Sequence, residues 1–587
     1  MSGKFWWERW PSVLKAQREA LDQAGIRYSL DDAARKEGIL VIHATYPYGG
    51  RDLHLDAIFP DFFPFFRFEV KCFDIDLPRH QNPFQKNLCL IGRSTLNWEI
   101  DDTLAAFLVQ RLPNVILAGS SPEPLGDIEE RQAEPFTDYY PYYENILVLF
   151  ESAWAIDSSV IKGTLELGVA SAHLLAILEI RDSSGRVLQT ADSHLAHLFK
   201  TRIQARWARS PEAIREENAG EFKRKLIDLH PHLARLEYQR PRGMFHNVPE
   251  EDLQLELLGV LFPEEVAKPE KPGWILGDGW VFLMQSKRRV VKKGFRPKLE
   301  ERVFFVRPGR AGHEDMLARI PEVRNLKDKK IALFGLGCLG APSALDFARS
   351  GVGELRILDY DVVDPGIIVR WPLGLQAAGK RKTEAIKSFI EASYPYTKVV
   401  HENMRLGEVG ELQQARIEAF LEGVDLVYDA TAEFGVQYFL SSVALEKGIP
   451  YVCLSTTPGA WGGIVSRVVP GKTGCWICLK HWHEEHDRDP STGIPLPNQD
   501  ESNGRVQPHG CADPTFTGTS FDTGQIALAG VRLAVSTLLD GETPGYPSFD
   551  WDVVVINLRD QDGRGIGIEC QTFPLKKNPR CPCANPA

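Results

Sequence analysis

Apolar residues recur along this chain at helical spacing in some stretches and at alternating spacing in others, and the change of spacing marks its parts. Leu14, Ala16, Ala20 and Leu21 follow Pro11 at helical spacing, which predicts a short amphipathic helix over residues 11–24. Residues 38–44 and 53–58 are short apolar runs suited to an antiparallel meander, and residues 102–109 to a helix. Residues 119–140, rich in Pro, Glu, Ser and Asp, predict a loop, with the tyrosines of 139–143 packing at a domain edge. A strand over 172–180, a turn at 182–185 and a returning strand from Arg186 follow. Residues 211–228 are charged at helical spacing and predict a solvated face. The apolar run 280–284 is followed by Lys287, Arg288, Arg289, Lys292 and Lys293, a pattern that suits a solvated hairpin. Residues 331–334, 341–350 and 355–358 then read strand, helix, strand.

The turn between the first of these strands and its helix is Gly335-Leu336-Gly337-Cys338-Leu339-Gly340, and the second strand closes on Asp359. Glycines in that position permit a tight turn and a close backbone approach to phosphate at a helix start, while an acid about 20 residues on can hold a ribose. The stretch predicts a nucleotide-binding βαβ unit. Asp361, Arg370 and Lys380 follow, and a further apolar strand ends at Asp429.

The chain has 587 residues, too many for a single core, so two to four domains are expected. A net charge of −11 argues against a nonspecific grip on nucleic acid or anionic membrane, and it weighs against nucleic acid at the basic run after residue 284. No apolar run approaches about 18 residues, and the first ten residues lack a signal-peptide core, so a cytoplasmic protein with no membrane span is expected. In that compartment ten cysteines suit metal ligands, nucleophiles or core positions better than disulfides.

Five landmarks in residues 35–115 carry a resemblance. They are Phe59-Pro60, Phe63-Pro64-Phe65, His80-x-Asn82, Leu88-Cys89-Leu90 and Trp98, with a helix after them. Together they resemble the ubiquitin-conjugating enzyme fold. The resemblance implies that Cys89 is a thioester-forming nucleophile, chemistry that suits sulfur as both attacking and leaving atom. Asn82 would steady the turn or the oxyanion, and His80 would stand beside it; both residues also fit a turn with no catalytic part. Asn87 stands where that family usually has glycine, and Pro83 follows the asparagine.

Residues 325–545 resemble the ThiF/MoeB-type activating enzymes, the superfamily that contains the ubiquitin-activating enzymes. The resemblance implies that Gly335, Gly337 and Gly340 border ATP, Asp359 and Asp361 lie at the nucleotide, Arg370 and Lys380 bind phosphates, and Asp429 holds Mg²⁺. Residues 367–371, Ile-Ile-Val-Arg-Trp, depart from that family's Asn-Leu-x-Arg-Gln run. Cys475-x-x-Cys478 and Cys581-x-Cys583 pair as a four-thiolate Zn²⁺ set, with His481, His483 and His486 on a polar loop beside it. Cys511, in a Gly- and Thr-rich loop before a helix over 524–539, would be the first thioester cysteine, its alternatives being a zinc ligand or an inert thiol. Cys72, Cys338, Cys453 and Cys570 read as core.

The expected architecture is α/β and α+β multidomain. Residues 1–150 form a ubiquitin-conjugating-like α+β domain, 151–305 a central α+β linker domain, and 306–587 a Rossmann-like ThiF-type adenylation domain with a zinc knuckle and a catalytic-cysteine loop. The order resembles the conjugating–activating fusions of bacterial CBASS anti-phage operons. That resemblance implies adenylation of the C-terminus of a ubiquitin-like protein or a cGAS-like nucleotidyltransferase, a thioester on Cys511, transfer to Cys89 and conjugation to a target amine. It further implies a homodimer and a deconjugating protease from the same operon. Two alternatives are an activating enzyme whose conjugating-like domain only docks a partner, and a sulfur-carrier adenylyltransferase.

Overall fold

The computed structural model describes residues 5–91, 98–121, 133–171, 173–235, 253–267, 273–290, 298–410, 412–502, 505–506 and 515–584. It divides into two compact units, one of residues 1–192 and 199–311, the other of residues 193–198 and 312–587. Among the described residues no helix is long and apolar enough to cross a membrane.

The first unit opens with α1 (Trp6–Arg9) and α2 (Pro11–Gln23), then a four-stranded antiparallel meander of β1 (Arg27–Leu30), β2 (Leu40–Tyr48), β3 (Arg51–Phe59) and β4 (Glu69–Cys72), with α3 (Asp32–Lys36) between β1 and β2. Alternation decides which face is inside: Leu40, Ile42 and Ala44 of β2 and Leu53, Leu55, Ala57 and Phe59 of β3 are buried, with Leu40 opposite Phe59. α4 (Leu104–Gln110) starts where the Thr103 hydroxyl accepts the Ala106 N–H, and α5 (Leu112–Gly119) follows it; both bury apolar residues in the same core.

The rest of this unit is dominated by strands: β5 (Tyr142–Phe150), β6 (Lys162–Ser171), β7 (Leu174–Asp182), β8 (Val187–Thr190), β9 (Thr201–Arg209), β10 (Leu253–Ala267), β11 (Trp274–Val290) and β12 (Lys298–Arg310). The sheet order is β5-β12-β11-β10-β9-β6-β7-β8, and a further β5–β7 pairing closes the first seven strands into a barrel. Trp207, Trp280 and Phe282 fill it. The single-turn α6 (Ser193–Ala196) is grouped with the second unit. Only the second half of the charged stretch 211–228 is helical, as α7 (Ala219–Leu229), because the Asn218 side chain accepts the Gly220 and Glu221 N–H groups and fixes the helix start there. Nor is that helix wholly solvated: Lys223 is buried and bonded to Glu256 (3.2 Å) and Gln285.

The second unit is an eight-stranded sheet in the order β15-β14-β13-β16-β17-β18-β21-β22. Its strands are β13 (Lys330–Phe334), β14 (Glu354–Leu358), β15 (Lys398–Glu402), β16 (Leu426–Asp429), β17 (Tyr451–Thr456), β18 (Gly462–Val468), β21 (Val553–Arg559) and β22 (Gly565–Phe573); a short separate pair is β19 (Arg505–Val506) with β20 (Thr515–Phe516). The strands from β15 to β17 run parallel and the last three pair antiparallel. The helices are α8 (His313–Leu317), α9 (Gly340–Arg349), α10 (Lys382–Ser393), α11 (Gln414–Leu421), α12 (Phe434–Lys447), α13 (Trp476–Arg488) and α14 (Ser520–Leu538). The central strands carry continuous apolar runs, as a parallel sheet covered on both faces requires. α14 begins four residues before the expected 524, because the Thr519 hydroxyl accepts the Asp522 N–H.

Two further expectations are corrected. Cys570 is not a core residue: it lies on β22, which is exposed from residue 565 to 572. His481, His483 and His486 lie not on a loop but on α13, where the Nδ1 atoms of His483 and His486 stand 2.8 Å from the carbonyls of Ile494 and Thr492.

Candidate active site

β13 ends at Phe334 and the chain must turn sharply to start α9. Gly335 has φ +84°, and a Cβ there would stand 3.0 Å from Ala430 and Thr431 backbone atoms; a Cβ on Gly340 would stand 1.8 Å from the Gly335 carbonyl oxygen. Both positions therefore require glycine. Gly337 has no heavy atom within 4 Å of where its Cβ would lie, so its backbone is open to a ligand. Asp359 is buried, and its carboxylate binds the turn: Oδ2 accepts the Leu336 N–H at 2.6 Å and Oδ1 the Asp361 N–H at 2.7 Å.

Gly335, Gly337 and Asp359 line a cleft of about 170 Å³ at the C-terminal ends of the parallel strands, together with Asp361, Lys382, Arg405 and Glu433. Lys382 is buried and its Nζ lies 2.7 Å from Asp361 Oδ2. Lys380 is exposed and is not among the lining residues, so the cleft lysine is Lys382; the bridge between Val362 and Arg381 keeps this backbone extended, and residue 382 then opens α10 with its Nζ on Asp361. Arg370 is half-buried outside the lining, and its charge pulls down the Cys338 thiol, which burial raises overall.

Asp429 also stands apart from the lining. It is fully buried; Oδ1 accepts the Thr431 hydroxyl (2.7 Å) and N–H (3.0 Å), and Oδ2 accepts the Tyr451 hydroxyl (2.8 Å). Burial raises its carboxyl above the ordinary range despite those donors. The exposed carboxylate in its place at the cleft is Glu433, four residues on, reached through Ala432 at φ +53°. Lys382, Arg405 and Glu433 are the functional candidates that sequence reasoning missed, and Arg405 carried no motif that could have found it. For the other two the signal was present, in a second lysine two residues after Lys380 and in the acid that ends Asp429-Ala-Thr-Ala-Glu433.

The four cysteines do come together. Cys475 and Cys478, at the start of α13, and Cys581 and Cys583 place their Sγ atoms within 4.8 Å of one another. Four thiolates about 2.3 Å from one Zn²⁺ would be a little under 4 Å apart, so the set fits a tetrahedral ion. The Asn578 N–H donates to Cys478 Sγ at 3.3 Å and its side chain bonds Glu485, while the Trp482 indole donates to the Lys576 carbonyl. These contacts fasten the tail to α13.

In the first unit Leu88 and Leu90 are buried and Cys89 between them is exposed, as alternation along an extended chain dictates. The Cys89 N–H donates to the His80 carbonyl at 2.8 Å. Asn82 shapes the turn: its Oδ1 accepts the Phe84 and Gln85 N–H groups, both at 2.9 Å. Trp98 packs on Phe68 and donates its indole N–H to the Pro64 carbonyl at 2.9 Å. Cys511 lies outside the described residues.

Compared with known proteins, residues 314–542 match the ThiF family and residues 18–149 match prokaryotic E2 family B. The chain is 30% identical to the uncharacterized protein y4qC of Sinorhizobium fredii over 95% of this chain and 94% of that protein. It is 28% identical to y4oA of the same organism over 98% of this chain and 97% of that protein. It is 32% identical to the probable adenylyltransferase/sulfurtransferase MoeZ of Mycobacterium tuberculosis, over 24% of this chain and 33% of that protein.

Proposed function

The chain belongs to one family with y4qC and joins a prokaryotic E2 family B domain to a ThiF-family domain, and from that premise we propose that it activates a ubiquitin-like C-terminus with ATP and conjugates it to an amine. The ThiF-family domain makes it an adenylating enzyme of the ubiquitin-activating type, a class that uses ATP and Mg²⁺. The observation that carries the finer reading is the presence, in one chain, of the glycine-turn cleft with Lys382 and Glu433 and of the solvent-facing Cys89.

In this reading a carboxylate oxygen of the carrier attacks the α-phosphorus of ATP and pyrophosphate leaves. The Cys511 thiolate attacks the acyl carbon and AMP leaves. The Cys89 thiolate takes the acyl group and frees Cys511. An amine nitrogen then attacks, Cys89 leaves as thiolate, and the amine loses a proton. Gly337 admits the phosphates, Asp359 fixes the turn that presents them, Lys382 and Arg405 offset their charge, and Glu433, rather than the buried Asp429, would hold Mg²⁺. Bound Mg²⁺ supplies neutralisation of charge on the phosphates. Cys475, Cys478, Cys581 and Cys583 would hold Zn²⁺ as a structural node. The fusion order supports a narrower reading, CBASS anti-phage defence with a cGAS-like nucleotidyltransferase as the carrier.

A non-reducing gel with ATP, Mg²⁺ and a candidate ubiquitin-like carrier protein tests the relay. Wild type should give a thiol-sensitive adduct and a thiol-resistant product, Cys511→Ala neither, and Cys89→Ala the adduct without the product. A product from Cys89→Ala would end the fused-conjugation reading and favour an activating enzyme whose conjugating-like domain only docks a partner, whereas an adduct with no product in wild type would favour sulfur-carrier adenylation, to which the similarity to MoeZ points.

A further inference from the structure

The loop that carries Cys89 is held by a residue that is itself tied to the barrel. Its two limbs bridge at Gln81 and Leu88, so His80 and Cys89 stand opposite each other, and the Cys89 N–H donates to the His80 carbonyl. His80 has φ +60°, the left-handed region that costs a non-glycine residue roughly 1 kcal/mol or more. One carboxylate keeps it there. Glu134 Oε2 accepts the His80 backbone N–H at 2.7 Å, and Glu134 Oε1 lies 2.7 Å from His80 Nδ1. Burial pushes the Glu134 carboxyl up, but the His80 donors outweigh it, so the carboxyl lies below its ordinary value.

Glu134 is itself tied to the barrel. Its backbone N–H donates to Glu265 Oε2 of β10 at 2.9 Å. Arg79, next to His80 in sequence, lies 3.6 Å from the other Glu265 oxygen and stacks its guanidinium over Trp274 of β11 at 5.3 Å. Phe84, inside the same loop, packs edge-on against Phe136 and against Tyr140, both on the approach to β5. The first limb of the loop and its turn thus touch residues that belong to the barrel or lead into it.

We propose that Glu134, anchored by Glu265, is a positioning residue of the Cys89 site, and that the barrel exists in part to set the geometry of the conjugating loop. The inference rests on Cys89 being the conjugating thiol, and the mechanism is a backbone clamp. Glu134 holds His80 left-handed, His80 presents its carbonyl to the Cys89 N–H, and the thiol is fixed relative to the incoming amine. A misplacement of about 1 Å at a reacting atom is enough to slow such a step by tenfold or more.

Two measurements on the full chain test it, with Glu134→Gln, Glu265→Gln, His80→Gly and the double variant Glu134→Gln/His80→Gly, each first checked for an unchanged melting midpoint. Hydrogen–deuterium exchange reads the Cys89 amide without any carrier, and should speed up by about tenfold in Glu134→Gln as the clamp opens. Single-turnover discharge of the loaded Cys89 to free L-lysine should slow by about tenfold in Glu134→Gln and Glu265→Gln. It should recover in the double variant, because glycine takes the left-handed conformation without a clamp. Unchanged exchange in Glu134→Gln overturns the clamp. So does normal discharge in a variant whose exchange has risen, or a double variant that fails to recover. If wild type never forms a thioester on Cys89, the conjugation reading fails, while exchange still decides whether Glu134 and Glu265 hold the loop.

Discussion

The nucleotide cleft and the Cys89 loop both hold irregular backbone in a fixed shape, and they do it in opposite ways. The cleft is held by its own neighbourhood: Gly335, Gly340 and Asp359 lie within one strand–turn–helix–strand unit, and the Asp359 carboxylate binds the turn it closes. The Cys89 loop is held by residues far along the chain, Glu134 and, beyond it, Glu265. A site of the first kind is specified by a short motif. A site of the second kind depends on another fold being complete.

The comparison can be broken in graded steps. Gly340→Ala puts a methyl 1.8 Å from the Gly335 carbonyl oxygen, so the turn and the start of α9 must separate. We expect loss of ATP binding by isothermal titration and a cost of about 3 kcal/mol or more in urea unfolding of the second unit. Amide exchange at Cys89 should not change, and if it does the two sites are not independent. Cys581→Ser/Cys583→Ser should lower zinc measured by plasma mass spectrometry from about one per chain to none. It should also open residues 579–584 to proteolysis, since Cys581 and Cys583 tie that end of the tail to Cys475 and Cys478.

Glu264, beside the clamp residue Glu265, gives a pH test of the barrel. Burial raises its carboxyl from 4.5 to about 7. The folded state therefore binds that proton more tightly than the unfolded one. The resulting stability is present in full below pH 4.5 and is lost as pH rises to about 7. Glu264→Gln should be more stable than wild type at pH 8, by at most about 3 kcal/mol, and should match it near pH 4. A constant difference across that range would show that Glu264 does not titrate there. Asp359→Asn should be the mildest change. It leaves one acceptor for two N–H donors and removes the charge, at a cost of about 2 kcal/mol in urea unfolding. The weaker nucleotide binding that accompanies it should leave discharge from Cys89 untouched.

The same contrast explains what could be read from the amino-acid sequence. The strand–glycine turn–helix–Asp359 unit was legible because its geometry is local. The four thiols were legible despite their separation because cysteine pairs have few other uses in such a chain. What escaped was fixed by tertiary contact. Spacing alone could not tell Lys380 from Lys382, or show that Tyr451 and Thr431 consume the oxygens of Asp429 and leave Glu433 at the cleft. The barrel escaped most completely, since its closure joins β5 to β7 and β12, pairings that no periodicity reports. The partnership of His80 with Glu134 was hidden for the same reason.

The closure of that barrel bears on how the molecule can be taken apart. All of β5 but its last residue lies within the stretch that matches prokaryotic E2 family B, yet the strand pairs with β12, Tyr142 opposite Phe305, and with β7, Leu147 opposite Leu174. A fragment cut at the end of that match would carry residues 142–149 of β5 away with no strand to pair against, its Ile146 and Val148 bared to solvent and both edges open to self-association. The remainder would be a barrel with a stave missing. Excising the conjugating-like part at its apparent boundary should therefore yield an aggregating fragment, and a soluble one has to run through β12.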